Sequence, residues 1–343
     1  MQSFYRLSIV MTLASFAGPR HAPAAEILEV NMAANAIVYD QVRDLIYASV
    51  GSSAGVPLGN SIVSLNPGTL SVASSILVGS EPTALGLSQD ASRLYVGLNG
   101  ALGFRWWAPG TTNLGPIRTI LSSGDPCVAE AFAVYPDNPT VVVVSKDVVG
   151  TTADGDLEVF NDSGSLGPGS TNPDANQIHF YSSNKMVSYN HGSTGYDLVR
   201  WGFNGTTLTN QASIGGLIAG FTTRVETAGG LIYASNGRVV DPESLSALGT
   251  FQANGAVQPD LQSNSTYFFE NRVLRRFDNT SFLELETQTF GPDVETGIKD
   301  LIYAGPNRLA YVSNNGIVGL ITIPEPSTLW MLLISFVTFR RSR

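Results

Sequence analysis

Cysteine is almost absent from this 343-residue chain: there is one, Cys127. A lone thiol closes no internal disulfide, so the fold must be held by burial rather than cross-links. Cys127 follows Asp125-Pro126 and reads as a small buried filler in an inter-strand turn. Histidine is nearly as scarce, with 3 residues, His21, His179 and His191. None stands at a Cys–His or His-x-x-x-His ligand spacing, which argues against a zinc site of the usual kind. Charged residues make up 14% of the chain, and 19 Lys plus Arg face 28 Asp plus Glu for a net charge of −9. A surface of that sign repels phosphate backbones and anionic lipid, so nucleic acid is excluded as a partner. Divalent cations, neutral sugars and basic proteins remain compatible, and so does plain solubility. No window sustains a 3.6-residue apolar period, which excludes a helical solenoid.

The two ends carry addresses. Arg6 precedes the apolar stretch Leu7 to Ala17, and Ala22-Pro23-Ala24 supplies the small-residue spacing read by signal peptidase. Charge, apolar run and small-residue site in that order predict a signal peptide over residues 1–24. At the other end Pro324-Glu325-Pro326-Ser327 leads into the apolar run Thr328 to Phe339 and then Arg340, Arg341 and Arg343. Arginines after an apolar run stop a segment in a membrane, with the cations on the cytoplasmic side. The run is about a dozen residues against the ~20 of a full span, so it needs flanking residues or local thinning to cross. An ordinary C-terminal anchor is the plain alternative.

This tail resembles the PEP-CTERM sorting signal of Gram-negative bacteria: a Pro-Glu-Pro motif, a short transmembrane helix and a basic terminus. The resemblance implies export, transient anchoring in the inner membrane, removal of residues 324–343 by an exosortase, and delivery to the cell surface or extracellular matrix. Signal and tail together hold Arg6, Arg20, Arg340, Arg341 and Arg343, so losing them makes the body, residues 25–323, more acidic.

The body is a repeat. Leu45-Ile46-Tyr47-Ala48-Ser49, Leu94-Tyr95-Val96-Gly97 and five further segments align on Tyr47, Tyr95, Val142, Val187, Tyr233, Tyr267 and Tyr311, at spacings of 48, 47, 45, 46, 34 and 44. Such a period suits four-stranded propeller blades, and the repeats are rich in Val, Ile, Tyr, Thr and Gly. The first copy parses as strands at Ala36-Tyr39, Leu45-Val50, Ser61-Leu65 and Ser74-Val78, with Asn66-Pro67-Gly68 as turn chemistry. The last copy offers only three strands. Ile27-Leu28-Glu29-Val30, which has no other home, is expected to supply its fourth and so tie the ring shut. The expected fold is all-β, a seven-bladed β-propeller. The copy from Gly79 to Val96, with Ser88-Gln89-Asp90-Ala91 at its turn, resembles the YVTN-type propeller repeat, with Ala91 in place of the usual glycine.

Candidate chemistry is sparse. Asp40, Glu130, His179, Glu226 and Asp260 fall in or beside inner strands, where side chains can face a central channel, the default ligand pocket of such a ring. Solvated acids, turn caps and a satisfied core histidine are the plain alternatives. His191 reads as a solvated loop residue. Asp154-Gly155-Asp156 with Glu158 would offer oxygen ligands to calcium from a tight turn, although Asp-Gly is also common hairpin chemistry. Otherwise no cofactor is expected. Trp106, Trp107 and Trp201 in third strands would stack on sugars if exposed and pack between blades if not. Two functions follow: a non-enzymatic surface module binding polysaccharide or another surface protein, or a lactonase-like hydrolase with its site in the channel.

Overall fold

A computed structural model of the chain describes residues 25–150, 154–170 and 175–324. The assignments resting on Ala22, Ala24, Glu325, Pro326, Arg340, Arg341 and Arg343 lie outside the described residues. Among those described, the elements are β-strands and two 3-10 turns, Ser52–Ala54 and Asn99–Ala101. No helix among them is long and apolar enough to cross a membrane.

Short apolar segments separated by turn residues fold into antiparallel meanders. In the first, the inner strand Ala34–Asp40 is followed by Leu45–Val50, Ser61–Leu65 and the outer Val72–Leu77, each paired with the one before. Second strands carry the core. Leu94–Leu98 is buried along its whole length and Leu45–Val50 over all but its first residue. Strands covered on both faces need such continuous apolar character. Tyr47, Tyr95, Val142, Val187, Tyr233, Tyr267 and Tyr311 all lie in second strands. Between meanders the side chains interdigitate: Tyr47 meets Trp107 edge to face at 5.3 Å. Trp201 is buried and donates its indole N–H to Ser188 Oγ at 2.9 Å. Trp106 is half-buried beneath the Arg93 guanidinium, 4.2 Å from its ring centre. The tryptophans therefore serve packing.

The inner strands run side by side in a closed circle: Ala34–Asp40, Pro82–Leu87, Asp125–Val134, Gln177–Ser182, Val225–Ala228, Ala256–Asp260, Ile298–Tyr303 and back to the first. This is the architecture of a β-propeller. Seven blades were expected, and the structure corrects that number. Five four-stranded blades stand alone, and the strands from Pro82–Leu87 through Gly164–Ser170 form one continuous eight-stranded sheet. The cause is local. Ser123 and Gly124 both adopt positive φ, 53° and 97°, as a two-residue hairpin requires. The outer strand Arg118–Ser122 is thereby turned straight onto Asp125–Val134, and Cys127 pairs with Ile120. Cys127 thus lies in a strand rather than a turn, fully buried.

Closure follows the expected route. Glu26–Asn31 pairs antiparallel with Ile317–Thr322, in the register Glu26 with Thr322 through Asn31 with Ile317. Glu29, Gly319 and Tyr311 form one row across three strands. The Tyr311 ring lies over Gly319, where an added Cβ would sit 2.0 Å from Tyr311 Cζ. Its hydroxyl donates to Glu29, whose carboxylate also accepts from Glu295 N at 2.9 Å. Burial and the neighbouring Glu29 carboxylate push the Tyr311 phenol far above its ordinary value. Behind the row, Met32 and Ala34 pack with Ile46, Ala310, Val312 and Val318.

Deleting Glu26 to Met32 is expected to broaden thermal unfolding and lower its midpoint by roughly 5–10 °C. Gly319→Ala, which drives the Tyr311 ring off its seat, is expected to cost about 1–3 kcal/mol in chemical denaturation. A truncated chain that melts as sharply and as high as the parent would disprove this role for the first strand.

Candidate functional site

The inner strands surround a cavity of about 390 Å³ on the propeller axis. Four of them are irregular at the same end, with pairing that skips Asn35, Thr83-Ala84, Glu130 and Lys299. A bulge breaks the alternation of a strand and re-aims a side chain. Here that puts polar residues on the axis inside otherwise apolar segments. Side-chain bonds then stitch the circle together. Asn35 Nδ2 donates to Pro82 O at 2.8 Å, and Lys299 Nζ to Asn35 O at 2.7 Å. Gln177 spans two inner strands, donating to Thr223 O at 3.0 Å and accepting from Val225 N at 2.7 Å. Asn176 donates to both Glu130 oxygens at 3.1 and 3.3 Å, and its own Oδ1 accepts from His191 N and Gly192 N.

Charge in the cavity is governed by confinement. Glu226, Asp300 and His179 are half-buried, ringed by protein and open to water along the axis. Burial, reinforced by the facing Asp300, raises the Glu226 carboxyl well above its ordinary value. Asp300 is raised too, by burial, against the pull of Arg224, Lys299 and a hydrogen bond from Leu301 N. The two titrate as a pair. Burial, then the Arg224 charge, lowers His179 to about 4, and the same causes lower His191. Lys299 is lowered by burial and by Arg224. The channel therefore holds a His179 imidazole that is uncharged at neutral pH and a carboxyl pair shifted towards its protonated form, beside the Arg224 guanidinium.

A second cavity, of about 440 Å³, opens at the end of the axis where the inner strands begin. Arg224 and Lys299 belong to the walls of both. Its lining is otherwise largely neutral and polar, including Ser235, Asn236, Asn254 and Asn314, with Phe221 at its edge, 57% exposed.

Of the five channel candidates, Glu130, His179 and Glu226 line the axial cavity. Asp40 and Asp260 do not, and are corrected to turn caps. Asp40 is fully buried and accepts from Val42 N, Arg43 N, Arg43 Nη1 and Tyr47 Oη at 2.8–3.0 Å. Asp260 accepts from Gln262 N, Ser263 N and Ser263 Oγ. An aspartate at a strand end folds the chain back over its own carboxylate. His191, read as solvated, is half-buried in the wall of the second cavity.

The calcium candidates also sit differently. Asp154, Asp156 and Glu158 belong to the strand Asp154–Asn161, not to a turn. Glu158 is ion-paired with the buried Lys146 at 3.1 Å, and Asp156 accepts from Ser122 Oγ at 3.4 Å. Among the described residues no group of three or more His, Cys, Asp or Glu could hold a metal ion. Pro324, the last described residue, lies just beyond the final strand.

Arg224, Lys299, Asp300 and Asn176 escaped the sequence reading. Their signal was phase: Asn35, Thr83, Glu130, Asn176 and Arg224 recur at intervals of 48, 47, 46 and 48. Gly51-Ser52-Ser53-Ala54-Gly55 has the spacing of a hydrolase nucleophile elbow, a motif that the sequence reading took to be absent from the chain. The elbow needs a strand-to-helix turn and a histidine partner. Here Ser52–Ala54 is a 3-10 turn with Ser53 exposed, and among the described residues no hydrogen bond joins it to His179 or His191.

No family model matches the chain, and no curated protein matches it. Among solved structures it is similar to a chain of a mitotic checkpoint complex, at 11% identity and a TM-score of 0.65, covering 94% of this chain and 99% of that one. It is also similar to the β-propeller domain of Cps50 (Swd1) from Myceliophteria thermophila, at 11% identity and a TM-score of 0.62, covering 87% and 100%. Likeness at that identity speaks to the fold. The body is a β-propeller.

The opposite shifts give a two-sided pH dependence. Stability from the protonated Glu226–Asp300 pair is complete below the ordinary carboxyl value, 4.5 for Glu226, and is lost as pH rises through the raised folded value. Stability from neutral His179 is complete above 6.5 and is lost as pH falls towards about 4. Glu226→Gln is expected to flatten the alkaline limb of melting temperature against pH, and His179→Gln the acid limb. Curves for both variants parallel to the parent's would refute the assignment.

Proposed function

We propose that the protein is an exported, non-enzymatic binding module of the cell surface or extracellular matrix, with the propeller axis as its ligand site. The observation that carries this reading is the makeup of the channel. Arg224, Lys299 and a set of amides and carboxyls face one cavity, while no Ser, Thr or Cys side chain among the described residues hydrogen-bonds to either histidine. Such a wall offers donors and acceptors for recognition without an activated nucleophile. Propellers are a common interaction scaffold, which agrees but does not identify a partner. A surface polysaccharide or another surface protein fits the reading. Signal peptidase acting after Ala24 and an exosortase acting at Pro324-Glu325-Pro326 would process the ends, and the C-terminal segment would be the membrane contact until then.

A lactonase-like hydrolase is the second reading, favoured by the meeting of Glu130, His179 and Glu226 in one cavity. Opening a lactone requires a polarising cation or an activated nucleophile. Asp260, another of the channel candidates, serves a turn instead.

Screening the purified protein against sugars, glycans and lactones is expected to find a ligand that binds and is recovered unchanged. Stoichiometric binding without turnover supports the module; steady release of a ring-opened product would replace it with the hydrolase. Sequencing the exported protein is expected to start near Ala25 or Glu26, and a retained Met1 would remove the export reading.

A further inference from the structure

Arg224 stands between the two cavities with its main chain fixed and its side chain unspent. Its N–H donates to Ser235 Oγ at 3.0 Å and its carbonyl accepts from Ser235 N at 2.8 Å, which pins the residue beside the strand Val225–Ala228. The guanidinium makes no hydrogen bond or ion pair with the described residues, although Glu226 and Asp300 feel its charge. A guanidinium carries five donors in a planar fork suited to a carboxylate.

The second cavity supplies the rest of a recognition surface. The side-chain amides of Asn254 and Asn314 likewise form no hydrogen bond with the described residues, so their donors and acceptors are free for hydroxyl groups. Phe221 is exposed at the mouth, held edge to face by Tyr196 at 5.2 Å, and offers a flat apolar face to ring C–H groups. Glu270, also in the wall, accepts hydroxyls and disfavours a doubly charged phosphate or sulfate. The volume of about 440 Å³ falls in the range of small-ligand sites, about 300–1,000 Å³.

We propose that this chamber binds a hydroxylated monocarboxylate, a uronic acid free or at the end of a glycan, with its carboxylate on Arg224 and its hydroxyls on the asparagines. The proposal rests on the reading of the channel as a binding site and adds to it the class of ligand. The overall charge of −9 opposes approach of an anion at long range. Recognition therefore comes from direct contact with Arg224.

Calorimetry on the full-length protein with glucuronate and galacturonate, their oligosaccharides, and glucose and galactose tests the assignment. Uronates are expected to bind roughly 10- to 100-fold more tightly than the neutral sugars, the range for one charge-assisted pair. Arg224→Gln is expected to erase that difference, and Arg224→Lys to restore part of it. Tighter binding of the oligosaccharides would mark a glycan end as the ligand, and equal binding a free sugar acid. Equal affinity of the wild type for uronates and neutral sugars overturns the proposal but leaves the binding module standing. So does undiminished uronate binding in Arg224→Gln. Failure to bind any sugar overturns the proposal, and only a blank across the whole ligand screen removes the module as well. The comparison of uronate with neutral sugar on the wild type needs no variant, so a misfolded Arg224→Gln leaves a decisive measurement.

Discussion

Everything in this propeller depends on the first strand of the body reaching the last. A meander cannot bury both of its faces alone, so each sheet needs two neighbours, and a row of sheets becomes stable only when it is closed into a ring. Closure is made by Glu26–Asn31 against Ile317–Thr322. One row within it shows how the sequence specifies the join. Tyr311 must pass over the middle strand to reach Glu29, and it can do so because residue 319 has no side chain. A tyrosine, a glycine and a glutamate, contributed by three strands, thus fix the register in which the ends meet.

The axis inherits its chemistry from that geometry. Inner strands brought together in a ring leave a narrow space where side chains face one another, ringed by protein and open to water only along the axis. There the cost of charging a carboxyl or an imidazole outweighs its ordinary proton affinity, so Glu226, Asp300 and His179 drift towards their neutral forms. Arg224 and Lys299 stand in the same wall as these groups.

Much of the fold was legible because it rests on repetition. The seven anchors from Tyr47 to Tyr311 all mark second strands, since a strand covered on both faces tolerates little besides apolar residues. The fourth strand of the last sheet was legible by elimination. Other features were hidden by single residues. Ser123-Gly124 makes a tight hairpin ahead of Cys127, which was read as part of an inter-strand turn, and two meanders become one sheet. On the axis, Glu130 and Lys299 lie at bulges, where simple alternation assigns the wrong face. Asp40 and Asp260 misled for the opposite reason. They sit at inner-strand ends as expected, but an aspartate there satisfies the backbone of its own turn before it can face a ligand.

The closing pair has a mechanical side. Glu26 and Thr322 are partners at the same end of the ladder, so tension drawing Ala25 and Ile323 apart loads one backbone bond at a time, as in opening a zipper. A force carried through only one of these positions would be shared with the whole disc instead. The closing pair is thus weakest against a load applied across both of these positions at once.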